Sequence, residues 1–182
     1  MASFLLVFAL CLVVQSAVAE DCKTGRSVVE DIDVYKIQKS WNVVYVNNNE
    51  LWEKFSCWVS DYSSSPDGGL QLQVSIVDNS NGQNNTFQGT YEKVNGHFLN
   101  YILSDNAALS SLYEILAVDY LRFKVVGGCP GAINGQPAVG IAFPRTWTPS
   151  EADLKAAKEA LAEIGLDFED FKPFCPLSEI KE

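Results

Sequence analysis

The sequence predicts an all-β protein, an antiparallel sandwich or barrel, with one α-helix packed on its outside. Short runs rich in β-branched and aromatic residues alternate with turn clusters at spacings of roughly 8–14 residues, which is typical of antiparallel sheets. The helical period of apolar residues appears once, after all of these runs, and this segregated order excludes a parallel βαβ layout. With 182 residues, 47% hydrophobic and 20% charged, the chain fits one globular domain.

The first residues predict a secretory signal peptide rather than a part of the fold. An apolar run from Phe4 to Val14 is followed by Ala17-Val18-Ala19, which has the A-x-A form of a signal cleavage site. The run is too short to cross a membrane, which takes roughly 20 residues. We therefore expect a signal peptide over residues 1–19 and a single secreted, extracellular domain over residues 20–182.

Short β-rich runs then follow one another along the chain. A short helical turn is expected over residues 31–38 before the first of them. Asn95-Gly96 is a strong hairpin signal between two runs. The eight predicted strands cover residues 41–46, 55–62, 70–77, 86–94, 98–103, 112–118, 120–126 and 138–143.

One amphipathic helix is predicted after the last strand. Thr148 is the expected N-cap, Pro149 the first helical residue, and Glu151 completes a capping box. Gly165 supplies a left-handed stop. The apolar stripe that should face the strands consists of Leu154, Ala157, Leu161 and Ile164.

Charge and histidine content narrow the function classes. Because 23 acidic and 13 basic side chains give a formal charge of −10, nucleic acids and anionic membranes are disfavoured as partners. The single histidine, His97, leaves little room for His-based metal sites or for Ser-His and Cys-His catalysis. It is expected in a surface turn, with a haem ligand as the open alternative. We expect no enzyme, no metal site and no cofactor.

In a secreted protein, the cysteines are expected to form disulfides and one asparagine is a candidate for N-glycosylation. Four cysteines follow the signal peptide, Cys22, Cys57, Cys129 and Cys175, and two disulfides in any of three connectivities are expected. The triplet that begins at Asn84 is an N-glycosylation acceptor.

Three short motifs lie at the ends of predicted strands, and through them the sequence resembles the lipocalin family. Lys39-Ser40-Trp41 opens the first strand where that family has Gly-x-Trp. Val118-Asp119-Tyr120 stands where it has Thr-Asp-Tyr, and Arg145 follows the eighth strand. Lys39 and Val118 depart from the family pattern. The details are most similar to secreted insect lipocalins of the cockroach allergen type.

The resemblance implies an eight-stranded up-and-down antiparallel β-barrel with one C-terminal α-helix packed outside. It also implies disulfides that join the first cysteine after the signal to the third and the second to the fourth. Trp41 would plug the closed end, with Arg145 stacked on its ring, and Asp119 would be a turn or hydrogen-bonding residue there. IgE recognition is implied by the resemblance alone.

Strand alternation then predicts which side chains line the barrel. If no bulge intervenes, an inward Trp41 places Tyr45 inward as well, and Leu121, Phe123 and Val125 share one face. The predicted ligand-binding residues are Tyr45, Val59, Tyr101, Tyr113, Ile115 and Phe123. Such a lining suits a small aromatic or lipid-like ligand; the alternative is that these side chains fill the barrel.

The predicted function is therefore a secreted carrier that transports or sequesters a small hydrophobic or amphipathic ligand, such as a lipid, a pheromone or a biogenic-amine-like molecule. A cationic amine would need a buried carboxylate, for which Glu114 is the mid-strand candidate, although it could equally face solvent. The alternative function is a protein-binding inhibitor, such as a protease inhibitor, that acts through its loops. That function requires a large exposed apolar patch at the loop rim, for instance around Trp52.

Overall fold

The structure, a computed structural model, describes residues 28–29, 32–66, 70–94, 98–103, 111–129 and 137–175. For residues 90–94, 98–103, 111–112 and 129 it describes the backbone alone. The predicted signal peptide, Cys22 and His97 lie outside the described residues, as do the side chains of Tyr101 and Cys129.

Nine strands and two helices make up the described fold. The strands are β1 (Ser40–Asn47), β2 (Phe55–Ser64), β3 (Leu70–Asp78), β4 (Gln83–Val94), β5 (Phe98–Leu103), β6 (Ser111–Asp119), β7 (Phe123–Cys129), β8 (Ala138–Pro144) and β9 (Phe171–Pro173). The helices are α1 (Leu51–Lys54) and α2 (Glu151–Glu163), and a 3-10 turn covers Phe168–Asp170.

The first eight strands form an antiparallel meander that returns to its start. Each strand from β2 to β8 pairs with the next, β8 pairs with β1, and β1 pairs with β2. The expected eight-stranded antiparallel β-barrel with one main helix is thereby confirmed. The seventh strand starts three residues later than predicted, because residues 120–122 form the turn that precedes it.

Along one of its two edges, strand β1 pairs first with β2 and then with β9. Its first residues, Ser40 to Asn42, pair with β2, and its last ones, Tyr45 to Asn47, pair with β9. The backbone N–H of Phe174 adds a 2.9 Å hydrogen bond to the carbonyl of Val44. The C-terminal segment therefore fills the seam where β1 and β2 diverge.

A disulfide fixes this segment to β2. Cys57 and Cys175 are bonded across a sequence separation of 118 residues, which is the pairing implied by the resemblance. Cys57 has a φ of 51° and shares a bulge with Trp58, since the pairing register shifts between Ser56 and Val59. The predicted bridge between Cys22 and Cys129 stays a prediction.

Helix α2 covers the outer face of the barrel. Its residues Ala157 and Leu161 are fully buried and pack with an outer cluster that includes Phe123 and Phe143, as the apolar stripe predicted. The N-cap is Ser150, not Thr148, because the Ser150 hydroxyl accepts a 3.2 Å hydrogen bond from the Asp153 backbone. The chain turns away at Gly165, whose φ is 74°.

Removing the Cys57–Cys175 bridge with the double substitution Cys57→Ser, Cys175→Ser is expected to lower the free energy of unfolding. The open seam loses its covalent tie, and a crosslink of this span is worth up to about 4–5 kcal/mol through the entropy of the unfolded chain. Urea unfolding followed by tryptophan fluorescence measures the loss. A change below about 1 kcal/mol would contradict the account of the seam.

Candidate functional site

Trp41 forms the floor of the barrel. Its ring is fully buried, and its Nε1 donates a 2.9 Å hydrogen bond to the carbonyl of Ile37. Ile37 is also fully buried and closes a single helical turn, in which its N–H donates to the carbonyl of Asp33. The turn predicted before the first strand thus holds the indole in place.

The cations over the Trp41 ring are lysines. The ammonium groups of Lys39 and Lys124 lie 5.7 and 5.2 Å from the ring centroid, and Lys39 also donates to the carbonyl of Tyr120 at 2.7 Å. Arg145 is exposed at the end of β8, with a φ of 56°. The expected stacking of Arg145 on Trp41 is therefore wrong, and Lys39, which replaces the motif glycine, supplies a cation instead.

Asp119 organises the turn between β6 and β7 at the same end. Its carboxylate accepts hydrogen bonds from the Leu121 backbone at 2.9 Å and from the Arg122 guanidinium at 2.7 Å. Partial burial acts to raise the pKa of Asp119, but these hydrogen bonds and the Arg122 charge outweigh it and lower the pKa. The structure thus gives Asp119 the turn role that the resemblance implied.

Lys124 is a buried lysine inside the barrel. It is 1% exposed, and its ammonium donates a 2.8 Å hydrogen bond to the Tyr62 hydroxyl and lies 4.2 Å from the Tyr62 ring centroid. No carboxylate among the described residues forms an ion pair with it. Because burial disfavours the charged form, the pKa of Lys124 lies well below the ordinary value of 10.5.

Sequence reasoning missed Lys124 because it reversed the faces of β7. Leu121 lies in the turn and is 82% exposed, while Phe123 and Val125 pack beneath α2. Lys124 and Val126 therefore point inward, and Phe123 is not a lining residue. The available signal was Asp119 in the second motif, since an aspartate whose carboxylate accepts from the backbone two residues on marks a turn.

A small cavity lies above Lys124. Its volume is about 30 Å³, which leaves room for only a few waters. Its lining consists of Val43, Trp52, Trp58, Ser60, Tyr113, Lys124, Val126 and Gly140. The barrel interior between these residues is thus largely filled by aromatic side chains, of which Tyr113 belongs to the predicted lining set.

Trp52 covers the cavity from helix α1. It is 7% exposed and packs edge-on against Trp58 and Phe174, with ring centroids 5.8 and 5.2 Å away. Its Nε1 donates a 3.1 Å hydrogen bond to Oδ1 of Asn47, which also accepts from the backbone of Val139. The protease-inhibitor alternative required an exposed apolar patch, for instance around Trp52. Because Trp52 is buried, it does not contribute to such a patch.

Glycines in the wall make room for these rings. Gly128 pairs with Tyr113 across β6 and β7, and a Cβ at Gly128 would overlap the tyrosine ring. A Cβ at Gly140 would lie 3.0 Å from the Val43 side chain and 3.8 Å from Trp52. Gly128 lies within strand β7, where the missing side chain leaves room for the Tyr113 ring.

Tyr113 and Ile115 belong to the inner cluster, but two other predicted lining residues lie outside. The register of β1 against β8 shifts between Val43 and Tyr45, and this bulge turns Tyr45 outward, where its ring lies 5.0 Å from that of Phe168. Val59 pairs with Ser75 and alternates with the buried residues of β2, so it also faces outward.

Glu114, the candidate partner for an amine, does not line the cavity. Its neighbours Tyr113 and Ile115 take the inside, and Glu114 lies on the opposite face of β6. It is nevertheless 5% exposed rather than solvated. The glycosylation candidate Asn84 is exposed and lies at the start of β4, directly after a turn.

Neither a metal site nor a membrane-spanning helix occurs among the described residues. No group of three or more histidine, cysteine, aspartate or glutamate side chains converges there. The helices in this part of the chain are also too short or too polar to cross a bilayer.

Comparison with known proteins defines the fold. No protein-family model matches the chain. The cockroach allergen Per a 4 is similar over 82% of this chain and 91% of its own, with 21% identity and a TM-score of 0.70. Insecticyanin from the tobacco hornworm Manduca sexta covers 80% and 82%, with 14% identity and a TM-score of 0.64. The chain thus has the lipocalin fold.

A third structure with this fold is that of a ligand complex. The tryptamine complex of the amine-binding protein of Rhodnius prolixus is similar over 81% of this chain and 82% of its own, at 14% identity and a TM-score of 0.63. At this level of identity the likeness concerns the fold.

Replacing the buried lysine is expected to change how stability depends on pH. The unfolded chain keeps this lysine protonated up to about pH 10.5, while the native state releases the proton at lower pH. Between those values the unfolded state binds more protons, so wild-type stability rises with pH by up to about 1.4 kcal/mol per pH unit. Lys124→Met should lack this rise.

Urea unfolding at pH 7 to 10 measures this effect as the difference between wild type and Lys124→Met. The matched control is Lys155→Met, whose side chain is 78% exposed and should leave the pH dependence unchanged. A wild-type minus Lys124→Met difference that stays constant over this range would contradict the burial of Lys124.

Proposed function

We propose that this protein is a secreted carrier that binds a small hydrophobic or amphipathic molecule inside its barrel and transports or sequesters it. It acts by binding rather than by catalysis. The observation that carries the proposal is the interior cavity, in which aromatic rings surround a few polar groups. Trp52, Trp58 and Tyr113 supply the apolar surface, and Ser60 and Lys124 supply the polar atoms.

This combination suits selective binding of a small molecule. Apolar walls gain free energy when they cover a ligand, and a few fixed polar groups orient it. The Trp58 Nε1 donates a 3.0 Å hydrogen bond to the Ser60 hydroxyl, so both side chains are held in position. A preordered lining lowers the entropy lost on binding.

The size of the cavity implies a closed form of the carrier. Because its volume of about 30 Å³ is too small for a ligand larger than a few waters, binding has to displace a side chain. We propose that the Trp52 side chain moves. Trp52 belongs to the four-residue helix α1, which connects β1 to β2, whereas the other lining residues belong to the strands of the barrel wall.

Proteins of the same fold support a carrier. One of them is an amine-binding protein in complex with tryptamine. We further propose that residues 1–19 direct secretion, that Cys22 and Cys129 form the second disulfide, and that Asn84 carries a glycan. The exposure of Asn84 is compatible with modification.

Titration with a neutral apolar fluorophore, N-phenyl-1-naphthylamine, tests the proposal. The protein is produced from the full sequence in a eukaryotic secretory host and purified from the medium. We expect the emission of the fluorophore to rise on binding and to fall when candidate ligands displace it. Failure of the folded protein to bind the fluorophore or any candidate would overturn the carrier function.

The substitution Trp52→Ala links that binding to the cavity. It is expected to speed uptake of the fluorophore several-fold, because the cover over the cavity is lost, and to destabilise the protein by about 3–5 kcal/mol. Circular dichroism establishes that the variant is folded. The control, Leu121→Ala, changes an exposed apolar residue in a turn; equal effects of the two substitutions would place fluorophore binding elsewhere.

A further inference from the structure

The cavity has hydrogen-bond donors and a cationic group but no described carboxylate. Lys124 and Ser60 both line it, and they are 1% and 3% exposed. An ammonium group has three N–H donors, of which the Tyr62 hydroxyl accepts one. The Ser60 hydroxyl accepts from Trp58 and keeps its own proton to donate.

A buried lysine without a counter-ion is costly to keep charged. The groups around its ammonium are the rings of Trp41 and Tyr62 and the hydroxyl of Tyr62. These stabilise a cation less than a carboxylate does, since each offers only a partial negative charge. An anionic ligand would supply the missing charge in a position where water cannot screen it.

We propose that the cavity selects ligands that carry a carboxylate, with Lys124 as the anchor of the acid group and the Ser60 hydroxyl as a second donor. The inference deepens the proposed carrier function and rests on it. Ammonium ligands are disfavoured, because they would meet Lys124 at close range while Glu114 lies on the far face of β6.

The arrangement on β2 and β7 supports a single position for the acid group. Ser60 and Tyr62 are two residues apart on the inward face of β2, and Tyr62 contacts the Lys124 ammonium. Apolar rings of Trp52, Trp58 and Tyr113 line the rest of the cavity. The ligand class that fits is therefore a small carboxylic acid with an aromatic or aliphatic body.

Two matched sets of probes test this selectivity. Indole-3-acetate, tryptophol and tryptamine share one aromatic body, and decanoate, decanol and decylamine share one chain. Isothermal titration calorimetry at pH 7 compares their affinities for wild type, Lys124→Met and the exposed control Lys155→Met. We expect the acid of at least one set to bind roughly tenfold or more tighter than the amine in wild type and in the control.

Lys124→Met is expected to remove this preference. The affinity for the acid should fall roughly tenfold, while the affinity for the alcohol should change by less than about threefold. A second readout needs no variant. Acid binding should take up as much as one proton, seen as a dependence of the binding heat on the ionisation enthalpy of the buffer, whereas alcohol binding should take up none.

The outcomes separate this inference from the carrier function itself. An amine that binds as tightly as its acid, or an acid preference that persists in Lys124→Met, overturns the role of Lys124 while a carrier remains. Failure of all six probes and of N-phenyl-1-naphthylamine to bind folded protein overturns the carrier function and this inference together.

Discussion

In a closed ring of β-strands every side chain points either into the barrel or away from it, and the phase of that alternation decides what the interior can bind. Three local irregularities set the phase here. The bulge in β1 turns Tyr45 outward, the register shift in β6 lies between Ile115 and Ala117, and the turn at residues 120–122 fixes the start of β7. The shift in β6 and the turn before β7 place Lys124, not Phe123, inside.

The neighbouring side chains in the barrel interior make room for the buried Lys124. The ring of Trp41 forms a floor beneath the Lys124 ammonium, and the Tyr62 hydroxyl accepts a hydrogen bond from it. Wall glycines leave space for aromatic side chains, most clearly where Gly128 faces Tyr113. Burial of a lysine costs free energy. Apolar side chains that pack in the inner cluster and in the outer cluster beneath α2 offset this cost.

Much of the fold could be predicted from the sequence, since turn signals and hydrophobic periodicity are local. The eight strands, the stripe on α2 and the stop at Gly165 all depend on residues within a few positions of one another. Which side chains of a strand point into the barrel is harder to predict, because a single bulge reverses the orientation of every later side chain in that strand. Alternation from Trp41 predicted an inward Tyr45 on the condition that no bulge intervened, and a bulge intervenes.

The site was less predictable for the same reason and for a second one. Burial of Trp52 depends on how α1 folds over the barrel and brings Trp52 against Trp58 and against Phe174, which is distant in sequence. Nothing in the local sequence marks Lys124 as an interior residue, because lysine side chains are almost always found at the surface. Its place in the interior follows from tertiary pairing with Val118 and Ala142.

The most direct test of the account is an NMR titration of the Lys124 ammonium in the ligand-free protein, with Lys124→Met used to assign its signal. We expect the pKa of Lys124 to lie well below the ordinary lysine value of 10.5, because the group is buried without a described carboxylate partner. A Lys124 signal that titrates near that ordinary value would contradict its position inside the barrel.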